Sequence, residues 1–281
     1  MTVVDSARDR VEATPPATKR GPRLLPFAGR LLPLIPGVVL VLGWQYASDR
    51  LIRKAYVSSP TDVVQRLYDL FASGEVFPHL QTTFTELVFG YGIGALVGIM
   101  VGYSLGRSRL MARMLEPYIL AFYGVPKIAF APLFIIWFGV GVSSKIALAG
   151  AMVFFMVFFN VYFGVRSVDR ELLDVADVMG VKGRKLTRYV YLPASLPHIV
   201  LGLRSALPYS VIGVVVGEFS SASSGLGLYM YQSSVNFDPA GVFAGVIILL
   251  LYVLLGSLLL SAVQKRALRW QPQSHDRSPS A

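Results

Sequence analysis

Three short patterns in this chain carry residue types that do chemistry elsewhere. Gly102-Tyr-Ser104-Leu-Gly106 has the Gly-x-Ser-x-Gly spacing of a serine nucleophile. That spacing works when a strand-turn-helix elbow presents the hydroxyl to a histidine base. Gly90-x-Gly92-x-x-Ala95 has the form of a dinucleotide fingerprint, which needs a strand before it and a helix after it. Lys127 and Glu218 fall within or at the end of apolar stretches. A charge there is costly and often lines an ion or solute path. Other chemistry is excluded outright. No Gly-Lys pair occurs, so there is no Walker A phosphate loop, and His-Glu-x-x-His and clusters of metal-ligand spacing are missing too. The chain has no cysteine, which removes disulfides and thiolate metal sites. If ATP drives anything here, another polypeptide must bind it.

The elements that would hold these residues decide between the readings. Hydrophobic residues make up 54% of the chain and charged residues 15%, too few charges for a soluble domain of this length. Apolar runs near the roughly 20 residues needed to cross a bilayer recur along it, so the chain reads as an all-α, polytopic membrane protein. We place six spans: Leu31–Ala47, with Pro33 and Pro36; about Thr83–Gly106; about Pro117–Val140, with Pro126 and Pro132; Ile146–Val165; about Pro197–Gly217; and about Pro239–Val263. In lipid each must be helical, because no water satisfies an open backbone. A nucleophile elbow and a βαβ unit are therefore impossible in the second span, and both glycine patterns become helix packing. His79 falls on the outer side, His198 at the start of the fifth span and His275 in the tail, so none is placed as a base for Ser104.

Orientation follows from Lys and Arg. Cations crowd the N-terminal segment, the stretch Arg107–Arg113, the loop Arg166–Arg188 and the segment after the sixth span. The opposite side holds only Arg50, Arg53, Lys54, Arg66 and Lys145. Both termini are thus expected in the cytoplasm. The net charge of +10 has its cause in these loops and gives no reason to invoke nucleic acid. Residues 1–30, polar and proline-bearing, read as a disordered cytoplasmic tail, and 266–281 as a second tail.

Between the first two spans, Ser59-Pro60-Thr61-Asp62 precedes Val63, Val64, Leu67, Tyr68, Leu70 and Phe71. Ser59 can cap, Pro60 suits the first turn and Gly74 ends the pattern, so an amphipathic helix on the outer face is expected. Gly90, Gly94, Gly98, Gly102 and Gly106 recur every fourth residue and form one helix stripe. Such stripes admit a close neighbouring helix, in the same subunit or a second one. Lys127, between Pro126 and Pro132, either lines a path on a broken helix and attracts an anion, or snorkels or pairs with an acid. Glu218, followed by Ser220, Ser221, Ser223, Ser224 and Gly225-Leu-Gly227, opens either an outer gate or a serine-rich turn after a capped helix end. Glu86 and Glu116 are expected at interfaces.

The loop 166–197 is the most informative segment. Asp169, Glu171, Asp174 and Asp177 occupy its first half, and Lys182, Arg184, Lys185 and Arg188 its second, a distribution that suits helix dipoles. Val168, Leu172, Leu173, Val175, Ala176 and Met179 give an apolar helix face, and Gly180 and Gly183 divide the run into two short helices. The pattern fits a helix pair projecting below the bilayer to dock a soluble partner, or a connector folded onto the protein's own surface.

Within it, Asp174, Val175, Ala176, Gly180, Val190, Leu192 and Pro193 resemble Glu-Ala-Ala-x₃-Gly-x₉-Ile-x-Leu-Pro, the coupling loop of binding-protein-dependent ABC importer permeases. Asp for Glu, Val for Ala and Val for Ile are mild departures. The resemblance runs from about Ser59 to Trp270 and is closest to the nitrate/sulfonate/taurine branch. It implies a type I importer permease fold of six transmembrane helices. The permease domain would be 80–265, preceded by 31–79 with the first span and outer helix. It further implies a bacterial inner-membrane location, a second permease copy, ABC ATPase subunits gripping the loop, and an extracytoplasmic solute-binding protein. ATP and Mg would sit on the ATPase, with no cofactor in this chain. The solute would be a small anion such as a sulfonate, taurine or nitrate, with Lys127, Glu218, Ser220 and Ser221 as candidates for the path. A heterocyclic vitamin precursor is the alternative cargo, and an ion-coupled secondary transporter the alternative class.

Overall fold

The structure is a computed structural model that describes residues 35–50 and 57–269. The start of the expected first span and the two tails, 1–30 and beyond 269, lie outside these residues. Every regular element among the described residues is helical.

The described part of helix α1 (Ile35–Arg50) is apolar and 16 residues long. It leans on the next element through the Trp44 indole, which donates to the Ser58 carbonyl at 2.7 Å. Helix α2 (Pro60–Ser73) has the ends its sequence calls for. Ser59 and Asp62 form a reciprocal capping box, Pro60 occupies the first turn, and Gly74 closes the helix at φ 78°. Its buried residues Val63 and Leu70 face inward.

Helix α3 (Val76–Arg107) is the first long span. The next crossing is broken: α4 (Arg109–Gly124) is followed by a 3₁₀ turn (Lys127–Phe130) and α5 (Ala131–Phe138), bent by 87°. Pro126 and Pro132 lack the donors to continue a ladder across that break, so the third span is a kinked pair rather than one straight helix. Helix α6 (Val142–Arg166) follows, then the connector, with α7 (Arg170–Val178) and α8 (Gly183–Leu186). A wide π turn (Thr187–Tyr191) runs into α9 (Leu192–Ser221). Helix α10 (Leu226–Val235) and the last span α11 (Pro239–Ala267) complete the fold. Four described helices are long and apolar enough to cross a membrane, and the bent pair makes five.

Helices α3, α6 and α9 form the centre. A methyl group at Gly90 would lie 2.8 Å from the Ala149 Cβ, one at Gly98 2.9 Å from the Phe154 carbonyl, and one at Gly106 2.8 Å from the Val165 Cβ. Contacts advance together along both helices, so α3 and α6 are parallel. The glycine stripe therefore serves packing within one subunit, which resolves the open choice. The matching ridge on α6 is Ala149, Val153, Val157, Val161 and Val165, also spaced by four and fully or nearly buried. Four-residue ridges on both helices interdigitate, and missing side chains on one let backbones touch. Helix α9 runs antiparallel to α6: Gly202 faces Asn160, Gly213 faces Ala149 and Gly217 faces Lys145. Ser104, on α3, donates to the Met100 carbonyl of its own helix at 2.7 Å, so the Gly-x-Ser-x-Gly pattern has no elbow.

Candidate functional site

The connector after α6 is built as its residues require. The Asp169 side chain caps α7 by accepting from the Glu171 amide at 3.1 Å. At the other end Gly180 sits at φ 69°, its amide donating to Asp177 and that of Val181 to Ala176, at 2.9 and 2.8 Å. These are the paired bonds of a Schellman stop, and only glycine adopts that left-handed position without cost. Gly183, at φ 62°, restarts the chain as α8. The π turn that follows has a local cause. Pro193 lacks an amide, and its ring crowds the carbonyl four residues back, at Tyr189. Ser195 takes up the Tyr191 carbonyl at 2.7 Å. From Gly183 to Ser221 the backbone is one continuous rod of 39 residues.

The two expected short helices are therefore present. Ala176 is buried and Val168 nearly so, which roots the segment, and Tyr191 packs on the core cluster containing Val165 and Ile199. The remaining apolar face is open. Val178 is 90% exposed and Met179 73%, with Leu172, Val175 and Leu192 also exposed. Asp174 and Gly180 are exposed, while Val190 and Pro193 are half-buried. Contiguous apolar exposure on such a polar connector is the character of an interaction surface. Val178, absent from the sequence-derived face, is its most exposed member.

A second feature was not read from the sequence. Arg107, the last residue of α3, reaches the far half of the connector. Its guanidinium donates to the Thr187 hydroxyl, donates to the Gly183 carbonyl at 3.3 Å and lies 5.8 Å from the centre of the Tyr191 ring. This strut ties the glycine-packed helix to the exposed segment.

The path candidates divide. Lys127 lies in the break of the bent pair, half-exposed. Its ammonium donates to the Tyr123 carbonyl and lies 5.0 Å from the centre of the Tyr123 ring and 5.1 Å from that of Phe155. The ammonium thus closes the end of α4 and sits between two aromatic rings. Ser220 is exposed, its hydroxyl donating to Val216 at 2.9 Å. Glu218 is fully buried. It accepts from the Thr83 hydroxyl at 2.6 Å and from the Gly227 amide, while the Ser221 carbonyl accepts from Lys145. One expectation needs correcting here: Glu86 is not interfacial but 1% exposed, and Lys145, at the start of α6, is likewise enclosed at 2% exposed. The signal was the four-residue register. Glu86 precedes Gly90 on the stripe and Lys145 precedes Ala149 on the facing ridge, so both are carried inside.

A family model described as "Binding-protein-dependent transport system inner membrane component" matches residues 94–269. A Bacillus subtilis protein named as an aliphatic sulfonates transport permease, SsuC, is 35% identical over 85% of this chain and 86% of its own length. The taurine transport system permease protein TauC of Escherichia coli is 31% identical over 83% of this chain and 86% of its own. The formylaminopyrimidine transport permease protein ThiX of Halalkalibacterium halodurans is 32% identical over 86% and 96%. Among solved structures, an inward-facing MetNI methionine ABC transporter chain superposes with TM-score 0.56 at 20% identity, over 68% of this chain and 94% of that one, a likeness of fold. Helices packed for a bilayer, an exposed face on a rooted connector and these matches agree: the chain belongs to the family of inner membrane components of binding-protein-dependent transport systems and is a multi-pass ABC transporter permease.

Proposed function

We propose that this permease imports a small anion of the sulfonate or taurine class, working as one of two identical copies. Separate ATPase subunits, carrying ATP and Mg, grip the connector, and an extracytoplasmic binding protein delivers the solute. The observation that carries this reading is the open apolar face of Leu172, Val175, Val178 and Met179 beside Gly180. A helix face of that kind fixes register in a partner's groove. Closure of the ATPases then draws the two connectors together, and the rods from Gly183 to Ser221 carry the movement into the bilayer as rigid-body alternating access. Both termini lie in the cytoplasm with the connector. The cargo class rests on the relatives named for sulfonates and taurine and on the half-exposed ammonium of Lys127. Lys127 and Ser220 face the solute, while Glu218 and Ser221 hold the wall behind them. The relative named for formylaminopyrimidine supports a second cargo, a neutral heterocycle. An ion-coupled secondary transporter would leave the exposed connector without a partner.

The test is co-purification with the cognate ATPase and binding protein, followed by ATP-driven uptake in liposomes. A thermal-shift screen of the binding protein identifies the cargo. Val178→Asp or Leu192→Asp places a charge in the docking face and is expected to abolish both ATPase recovery and uptake, with membrane levels of the permease unchanged. Uptake at the wild-type rate in both variants refutes the docking role. Arg107→Ala is expected to leave the ATPase bound and hydrolysing but to lower solute moved per ATP. An unchanged ratio shows that the strut carries no force.

A further inference from the structure

The buried groups around Glu218 lie behind the path and have no part in docking. Glu218 ends α9 and is 0% exposed; Glu86 on α3 is 1% exposed and Lys145 on α6 is 2%. Each comes from a different helix, and α10 adds a fourth contact through Gly227. The Glu218 carboxyl is fully engaged as an acceptor: Oε1 takes the Thr83 hydroxyl at 2.6 Å, and Oε2 takes the Gly227 amide. Thr83 in turn accepts from the Leu226 amide at 2.8 Å. Space is tight, since a side chain at Gly225 or Gly227 would run into the Glu218 carboxyl. The Lys145 ammonium donates to the Ser221 carbonyl. The buried Glu86 carboxyl, one helical turn along α3 from Thr83, lies close to Glu218 and Lys145, and its Oε2 has no hydrogen-bond partner among the described residues. Two neighbouring titratable groups are occupied. His79 Nδ1 accepts from the Gly225 amide at 3.0 Å, and the Tyr252 hydroxyl donates to the Leu80 carbonyl at 3.0 Å.

Two acids and one ammonium leave an excess negative charge in a site closed to water. An uncompensated buried carboxylate is far costlier than a neutral acid. We propose that this node is a proton-binding site, in which Glu86 is held as a neutral carboxylic acid that donates to the Glu218 carboxylate, with Lys145 balancing the remaining charge. The assignment of the proton follows from the acceptors. Glu218 receives two donors and is shaped for the anion, whereas Glu86 Oε2 receives none. The consequence is a neutral clasp joining α3, α6, α9 and the start of α10, at the end of the bundle away from the connector. That end can then move as one body.

Infrared spectroscopy of the whole permease in lipid tests this directly, independently of what it transports. The wild type is expected to show a protonated carboxyl stretching band that shifts with ¹³C-glutamate labelling. Glu86→Gln, which keeps the shape and the donor, removes the band while leaving the thermal unfolding midpoint near the wild type. Lys145→Met removes the balancing cation and adds a second protonated carboxyl. A wild type without the band overturns the proposal in favour of two carboxylates held by a bound cation, and so does a band that survives Glu86→Gln. Where Lys145→Met fails to fold, the wild-type and Glu86→Gln spectra still decide.

Discussion

Gly94→Leu is expected to unfold the centre of this permease rather than to alter transport. The Gly94 position lies against the Gly150 backbone carbonyl, and a methyl group there would also come within 2.9 Å of the Val153 Cβ. Neither neighbour can rotate away, because one is backbone and the other a buried β-branched residue on a rigid helix. Leucine must therefore push α3 off α6 along their whole shared length. The contacts at Gly90, Gly98, Gly102 and Gly106 would loosen with it. Overpacking of a close-packed core costs about 1–3 kcal/mol for modest insertions, and a side chain of this size against backbone belongs at or above the top of that range. The measurement is the unfolding midpoint in detergent together with the amount of folded protein recovered. Gly92→Leu is the control, since a side chain at Gly92 meets nothing within 4 Å. Equal loss in both variants would show that the stripe is not the contact.

Gly180→Pro is expected to do the opposite: uptake at background, with insertion and folding intact. Proline holds φ near −65°, whereas Gly180 requires φ 69°. It also deletes the amide that donates to Asp177 at 2.9 Å. The Schellman stop at the end of α7 cannot form, and the exposed face is re-aimed relative to α8 and the rod behind it. The spans lose nothing, because the turn is exposed and its methyl position is empty. Gly180→Ala keeps the amide and is expected to retain part of the uptake, as a left-handed alanine costs about 1–2 kcal/mol. Reconstituted uptake, ATP hydrolysis and membrane abundance measured together separate the outcomes. Wild-type uptake in Gly180→Pro would remove the connector from the mechanism.

The two glycines illustrate how much could be read without coordinates. Gly180 announced itself through local chemistry, a glycine after a helical run of acids and apolar residues, and the structure places it at the left-handed stop. The capping of α2 by Ser59 and Asp62 is legible for the same reason. Gly94 announced only that some helix must approach, because a stripe of missing side chains does not name its partner. Glu86 was misjudged because it was weighed by distance from a span end, and the enclosure of Lys145 was not foreseen. Their four-residue registers with Gly90 and Ala149 were the better guide.

From its order of residues alone this chain determined that it crosses a membrane, that the connector after Arg166 breaks at Gly180 and Gly183, and that it carries no Walker A phosphate loop of its own. Those properties depend on hydrophobic length, backbone freedom and the absence of a phosphate loop, all local to the sequence. Only the tertiary structure decided that α3 lies parallel to α6, that Arg107 holds the connector, and that two acids and a lysine share one dry node. Each of these joins residues tens of positions apart, and which distant faces meet is set by how whole helices fill space against one another.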